Sequence, residues 1–137
     1  MTIMTWDASL DVGVDDMNRE HQEILALMNQ LHDLKQDGVT GLPVTKLVQK
    51  LGEVTTHHFA DEEAYMESIN YAGLSSHKFI HQDLLKKYGE YAQEIAAANG
   101  RMDDRFFTFL KLWLTAHIKG IDMKYSPKAA NPLRKAS

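Results

Sequence analysis

The sequence has no cysteine. That excludes disulfide bridges, thiolate zinc sites and iron–sulfur clusters held by cysteine. It has no excess of basic residues either. Fifteen lysines and arginines stand against nineteen acids, for a net charge of −4. This argues against a nucleic-acid partner, which requires a basic face. No stretch approaches the ~18 consecutive apolar residues of a membrane span. The N-terminus, MTIMTWDASL, lacks both the basic start and the apolar run of a secretory signal. A cytoplasmic protein is the expectation. No internal repeat or low-complexity segment stands out.

What is present suits one globular domain spanning residues 1–137. Apolar residues make up 44% of the chain and charged residues 25%, enough to build a core with a wet surface. Turn signals divide the chain at Asp37–Gly41 (followed by Pro43), at Asn70–Gly73 and at Ala98–Gly100. Between and after them, apolar residues recur every three or four positions, which is helical spacing. The first segment carries Ile24, Leu27, Met28, Leu31 and Leu34. The second carries Leu47, Leu51, Val54, Tyr65 and Ile69. The third has Ile80, Leu84, Tyr88, Tyr91 and Ile95, and the fourth Phe106, Phe109, Leu110, Trp113, Leu114 and Ile121. Pro43 suits a first helical turn, and Ser75 or Ser76 is a candidate cap for the third helix.

Four amphipathic helices on short loops predict an all-α fold, an antiparallel up-down-up-down four-helix bundle. An N-terminal arm, residues 1–14, packs against it through Trp6, Leu10, Val12 and Val14. A C-terminal tail, residues 126–137, is expected to be loose.

The stretch THHFADEEAYM, residues 56–66, mixes two histidines and three acids with apolar residues. Each residue advances about 100° around a helix. With Leu47 at zero, the stripe of Leu51, Val54, Tyr65 and Ile69 falls within about 40°, and His58 within about 20°. Glu62 follows His58 by one turn, about 40° further round. His58 and Glu62 therefore form an inward pair. His57 and Glu63 are expected in water, and Asp61 lies at the stripe's edge.

The third helix repeats the spacing with His77 and His81. The first helix carries His21 near its apolar side, and the fourth carries His117. His21 is early in its helix, His58 late, His77 and His81 early, and His117 late. In an up-down-up-down bundle these places share one end. His32, about 16 Å further along the first helix, is too distant to join them.

Taken singly, each histidine is explained by a hydrogen bond in the core. Together, five unpaired imidazoles and a carboxylate in one apolar layer would leave many polar atoms unsatisfied. Metal satisfies them at once. Six inward ligands exceed the four of tetrahedral zinc. Calcium and magnesium prefer oxygen shells. Imidazole with carboxylate suits iron, among other transition metals, and a carboxylate can bridge two ions. The Glu-x-x-His pairs of ferritin-like di-iron proteins are absent. A site rich in histidine and poor in carboxylate carries less negative charge, which favours reversible ligand binding.

These pieces resemble the hemerythrin family. The matching stretches are HQEIL at His21, HFADEEAYM from His58, HKFIH from His77 to His81, and WLTAHIKGID ending at Asp122. The resemblance runs from Trp6 to Tyr125. It implies two non-haem irons per chain with an oxo or hydroxo bridge. His77, His81 and His117 would hold one iron, and His21 and His58 the other, which keeps an open position. Glu62 and Asp122 would bridge the pair. Asp122 enters through the resemblance alone. Five residues after His117, it would sit about 140° away on a regular helix. It reaches the same metals only if the helix unwinds or bulges near Gly120.

The implied function is reversible dioxygen binding for transport, storage or local delivery, not enzymatic turnover. Such binding needs a dry pocket, because water and protons promote irreversible oxidation. Phe59, Trp113, Leu114 and Ile118 match the family's pocket-side residues, and Leu25 and Met66 are added to them. A monomer is expected, with an oxygen-consuming protein as a possible client. The alternatives are an oxygen or redox sensing module and a di-iron enzyme handling peroxide or nitric oxide.

Overall fold

The computed structural model describes residue 6, residues 8–120 and residues 122–125. Helix α1 runs Asp15–Gln36, α2 Leu42–Ser68, α3 Leu74–Ala97 and α4 Asp104–Gly120. Short 3-10 turns at Ala8–Leu10 and Asp122–Tyr125 flank them. There is no strand among the described residues. No described helix is long and apolar enough to cross a membrane. Ile121, the tail from residue 126 and most of the first seven residues lie outside the described residues.

The first three helices stop by one device. Gly38, Asn70 and Asn99 each adopt positive φ just past a helix end. The following amides, of Val39, Tyr71 and Gly100, then reach back to the carbonyls of Leu34, Met66 and Ile95. This closure satisfies carbonyls that a helix end would leave bare. The sharp stops keep the loops short and the neighbouring helices antiparallel.

Two loops meet at one end of the bundle. The Gly41 amide donates to the Asn99 carbonyl at 2.8 Å. Gly100 (φ +84°) lies so close to the Gly41 backbone that a Cβ there would collide with it. The histidine-bearing turns of all four helices lie at the opposite end.

The core holds Ile24, Met28, Leu31, Val44, Leu51, Met66, Phe106, Leu110, Leu114 and Ile118, all nearly inaccessible. The arm joins it through Leu10 and Val12, with Trp6 and Val14 partly buried. Asn18 fastens the arm to α1, accepting from the Val12 amide at 3.0 Å and donating to Asp11 at 2.8 Å.

Two local expectations are corrected. Ser75 and Ser76 do not cap α3. They lie inside its first turn, Gly73 holds the cap position, and no side chain caps it. The inward face of α2 is also rotated from the expected one. Its buried residues are Val44, Val48, Leu51, Thr55, His58, Phe59, Glu62 and Met66. Their mean direction lies about 70° round from Leu47. Leu47, Val54 and Tyr65 are only partly buried, and Ile69 is 43% exposed. They form one flank of the face, not its centre.

Candidate metal centre

His21 from α1, His58 and Glu62 from α2, His77 and His81 from α3, and His117 from α4 meet at this end with Asp122, all buried. Asp122 joins because α4 stops at Gly120 and Asp122 opens a 3-10 turn. The change of winding replaces the 140° offset of a regular helix, and the Asp122 carboxylate is fully buried.

The donors form two groups that share both carboxylates. His77, His81 and His117 surround one side of Glu62 and Asp122, and His21 and His58 the other. Oε1 of Glu62 lies 2.8 Å from His81 Nε2 and 3.2 Å from His77 Nε2. Its Oε2 lies 3.4 Å from His58 Nε2 and 3.6 Å from His21 Nε2. Asp122 behaves alike. Oδ1 is 2.9 Å from Nε2 of both His77 and His117, and Oδ2 is 3.1 Å from His21 Nε2. Each carboxylate thus offers one oxygen to each histidine group.

Short as these distances are, none of the five Nε2 atoms has a hydrogen-bond partner, nor do Glu62 Oε1 and both Asp122 oxygens. Buried polar atoms are rarely left so. Eight orphaned donor atoms converging from five elements fit metal ions. Five imidazoles and two shared carboxylates exceed one tetrahedral zinc and suit a pair of transition-metal ions.

The electrostatics of the metal-free cluster agree. Burial works to lower the His58 pKa, but the hydrogen bond to Glu20 and the nearby Glu62 outweigh it and raise it to about 10. Burial likewise opposes protonation of His117, yet the charge of Asp122 lifts it to about 9. His77 also moves up, against its burial, through Asp122 and Glu62. Burial pushes both carboxylates up. The imidazoles, led by His117, still hold Glu62 well below the ordinary range and Asp122 at about 2. Without metal, protons occupy a centre whose carboxylates demand cations.

Other residues tie the donors in place. The Phe59 ring stacks on His81, centroids 3.8 Å apart and planes 3° apart. Tyr125 donates from its hydroxyl to Glu62 Oε2 at 2.7 Å. Burial, and then the negative charge of Glu62, raises the Tyr125 pKa, so the phenol keeps its proton.

A narrow gap, too small to admit a water molecule, adjoins the centre. Ile24, Phe59, Trp113, Leu114 and Ile118 line it, with His21, His58, His117 and Asp122. Leu25 and Met66 are buried core residues and do not line this gap; Ile24 does. A surface groove lined by Lys87, Tyr91, Arg105 and Phe109 among others lies away from the histidines.

His57 is exposed and pairs with Asp61 at 3.2 Å. His32 packs edge-on against Phe107, remote from the centre. Glu63 departs from expectation. Its side chain is only 27% exposed and its Oε2 accepts from His81 Nδ1 at 2.8 Å. The rotated face of α2 explains this. Measured from the true centre of that face, Glu63 lies about 90° away, on the flank beside α3. Spacing from the full buried set would have found it. Tyr125 was also missed. It follows Asp122 by three residues, the eclipsed spacing of a 3-10 turn.

Residues 12–129 match the hemerythrin HHE cation binding domain. A bacteriohemerythrin of Stenotrophomonas maltophilia is 30% identical over 126 residues, covering 92% of this chain and 81% of that one. A myohemerythrin of Riftia pachyptila is 34% identical over 120 residues, covering 88% of each. Crystallised hemerythrin, as a point mutant, superposes with a TM-score of 0.82 at 27% identity, covering 93% of this chain and 97% of that one. With a cation-binding match over most of its length and a buried cluster of cation-demanding donors, the chain belongs to the hemerythrin family.

Proposed function

We propose that this protein binds dioxygen reversibly at a pair of non-haem irons, as a carrier for transport, storage or local delivery. In this reading His77, His81 and His117 hold one iron, and His21 and His58 hold the other. Glu62 and Asp122 are shared between them, beside an oxo or hydroxo bridge derived from solvent. The observation that carries it is the division of each carboxylate, one oxygen toward each histidine group. A single ion would leave one of the two groups unsatisfied.

An iron pair held there would lend electrons to dioxygen on binding and regain them on its release. The protein's own groups do the rest. The five imidazoles and two carboxylates fix the pair, and the carboxylates offset its charge. Tyr125 holds its proton on Glu62 Oε2 and so keeps that carboxylate in one orientation. Ile24, Phe59, Trp113, Leu114 and Ile118 form an apolar wall beside His21, His58, His117 and Asp122, and in this reading it covers the open position on the side of His21 and His58. That side has two imidazoles against three, and the wall excludes water and protons from it. The gap beside the wall is too small to hold a water molecule.

The test is an iron count with visible spectra of the purified protein in air and after removal of oxygen. Two irons per chain and a band that bleaches and returns are expected. One iron per chain, stoichiometric zinc, or no reversible bleaching would overturn the reading.

A further inference from the structure

Two carboxylates that do not face the centre sit directly behind two of its histidines. His58 Nδ1 lies 2.6 Å from Glu20 Oε1, and His81 Nδ1 lies 2.8 Å from Glu63 Oε2. An ionised carboxylate only accepts, so the ring N–H donates in both pairs. In the neutral ring that metal binding requires, this leaves the lone pair on Nε2, which faces inward. His21 and His77 differ, since neither of their Nδ1 atoms has a partner.

The backed histidines are divided between the two groups. His58 stands with His21, and His81 stands with His77 and His117. Glu20 comes from α1 and Glu63 from α2, so the pairs arose on separate elements. Both glutamates are largely withdrawn from water, with 12% and 27% of the side chain exposed. Their charges are therefore less screened than those of surface acids.

We propose that Glu20 and Glu63 are positioning residues that tune the metal pair, one acting through His58 on its half and the other through His81 on its half. Each draws the Nδ1 proton toward itself and makes the opposite nitrogen a stronger donor. A stronger, more anionic donor favours the higher-charged state of a metal, so both glutamates lower the pair's reduction potential. This suits a site that must lend electrons to a ligand, and it makes permanent oxidation easier. The inference rests on the di-iron reading above. Partners of this kind typically change metal affinity by about 10–100-fold. If that change falls on the oxidised state, it corresponds to about 60–120 mV for a one-electron couple.

Glutamine separates charge from mere support. Its amide oxygen accepts the same N–H and holds the same ring orientation, but without the charge. The experiment compares wild type with Glu20→Gln and Glu63→Gln in iron content, melting temperature and spectroelectrochemical midpoint. Each iron-loaded variant is expected to melt close to wild type, with its midpoint raised by about 60–120 mV. Unchanged midpoints in iron-loaded variants would overturn the proposal. If a variant fails to keep iron, the zinc-loaded protein gives a second readout. There the Nδ1 proton resonance of His58 or His81 should move upfield on losing its carboxylate, and an unmoved resonance would again overturn the proposal. A wild type with two irons and a reversible redox couple establishes the underlying reading separately. Its absence would sink that reading and this proposal with it.

Discussion

Tyr125 donates a 2.7 Å hydrogen bond to Oε2 of Glu62, the oxygen turned toward His58 and His21. The 3-10 turn that brings Asp122 into the centre therefore also brings the group that steadies the other carboxylate. Tyr125→Phe removes only the hydroxyl. A buried hydrogen bond to a charged group is worth about 1.5–3 kcal/mol. The metal-free variant should lose stability by roughly that amount. Iron release to a chelator should quicken by about 10–100-fold. Unchanged release in a variant that folds normally would show that Glu62 needs no such support.

The wall of the gap separates two kinds of buried residue that look alike in the sequence. Ile24 lines the gap, whereas Leu25 is also buried and does not. Either one changed to alanine should cost about 2–5 kcal/mol. Only Ile24→Ala should speed irreversible oxidation in air, followed as the decay of the oxygen-dependent band. Equal rates in both variants would mean that bulk stability, not the wall, protects the centre.

The phase argument for α2 makes a sharper demand. His58→Ala or Glu62→Ala should abolish assembly of the iron pair, while His57→Ala, one residue away and 76% exposed in its side chain, should leave it nearly intact. Iron counted per chain reads all three. Similar loss in His57→Ala would show that the inward face is assigned wrongly.

Most of the bundle was legible because periodicity and turn residues are local signals. The three turns fall where Gly38, Asn70 and Asn99 allow positive φ. The convergence of His21, His58, His77, His81 and His117 followed from helix direction alone. Glu63 was misread for a definite reason. Leu47, Val54, Tyr65 and Ile69 are apolar but flank the face, whereas Thr55 and Glu62 are polar and lie within it. Hydrophobicity weighted the wrong residues and turned the helix by about 70°. Asp122 lay beyond any periodic argument, because it depends on a change of winding after Gly120. Only the family pattern pointed there. Glu63 and Tyr125 meet their partners across the fold, at sequence separations of 18 and 63, where a single sequence carries no pairing signal.

At the other end of the bundle, Gly100 offers a control for stability without chemistry. Its φ of +84° and its contact with the Gly41 backbone both resist a side chain. Gly100→Ala should destabilise by at least about 1–2 kcal/mol from the backbone conformation alone. The collision with backbone adds to that. The melting temperature should fall while the iron-to-protein ratio and the visible spectrum stay as in wild type. A changed spectrum would show that the two ends are coupled.

The metal-free protein should have a stability maximum in weakly acidic solution. His58 and His117 have pKa values raised to about 10 and about 9 in the folded state. An unfolded chain has histidine near 6.5. Their contribution is therefore complete below about pH 6.5 and is lost as pH rises through 9 to 10. Asp122, held at about 2, and Glu62, also lowered, act in the opposite sense. Their contribution is present above about pH 4, where the unfolded carboxylates ionise, and is lost as pH falls below it. Calorimetry of metal-free protein across pH 3 to 10 should give its highest melting temperature between about pH 5 and 6.5. With iron bound, the sign on the alkaline side changes. The imidazoles must give up their Nε2 protons to hold metal, so iron uptake near neutral pH should release protons, measurable with an indicator in weak buffer. Iron binding with no proton release would show that these imidazoles are already neutral in the empty centre. A metal-free melting temperature that kept rising from pH 7 to 10 would say the same.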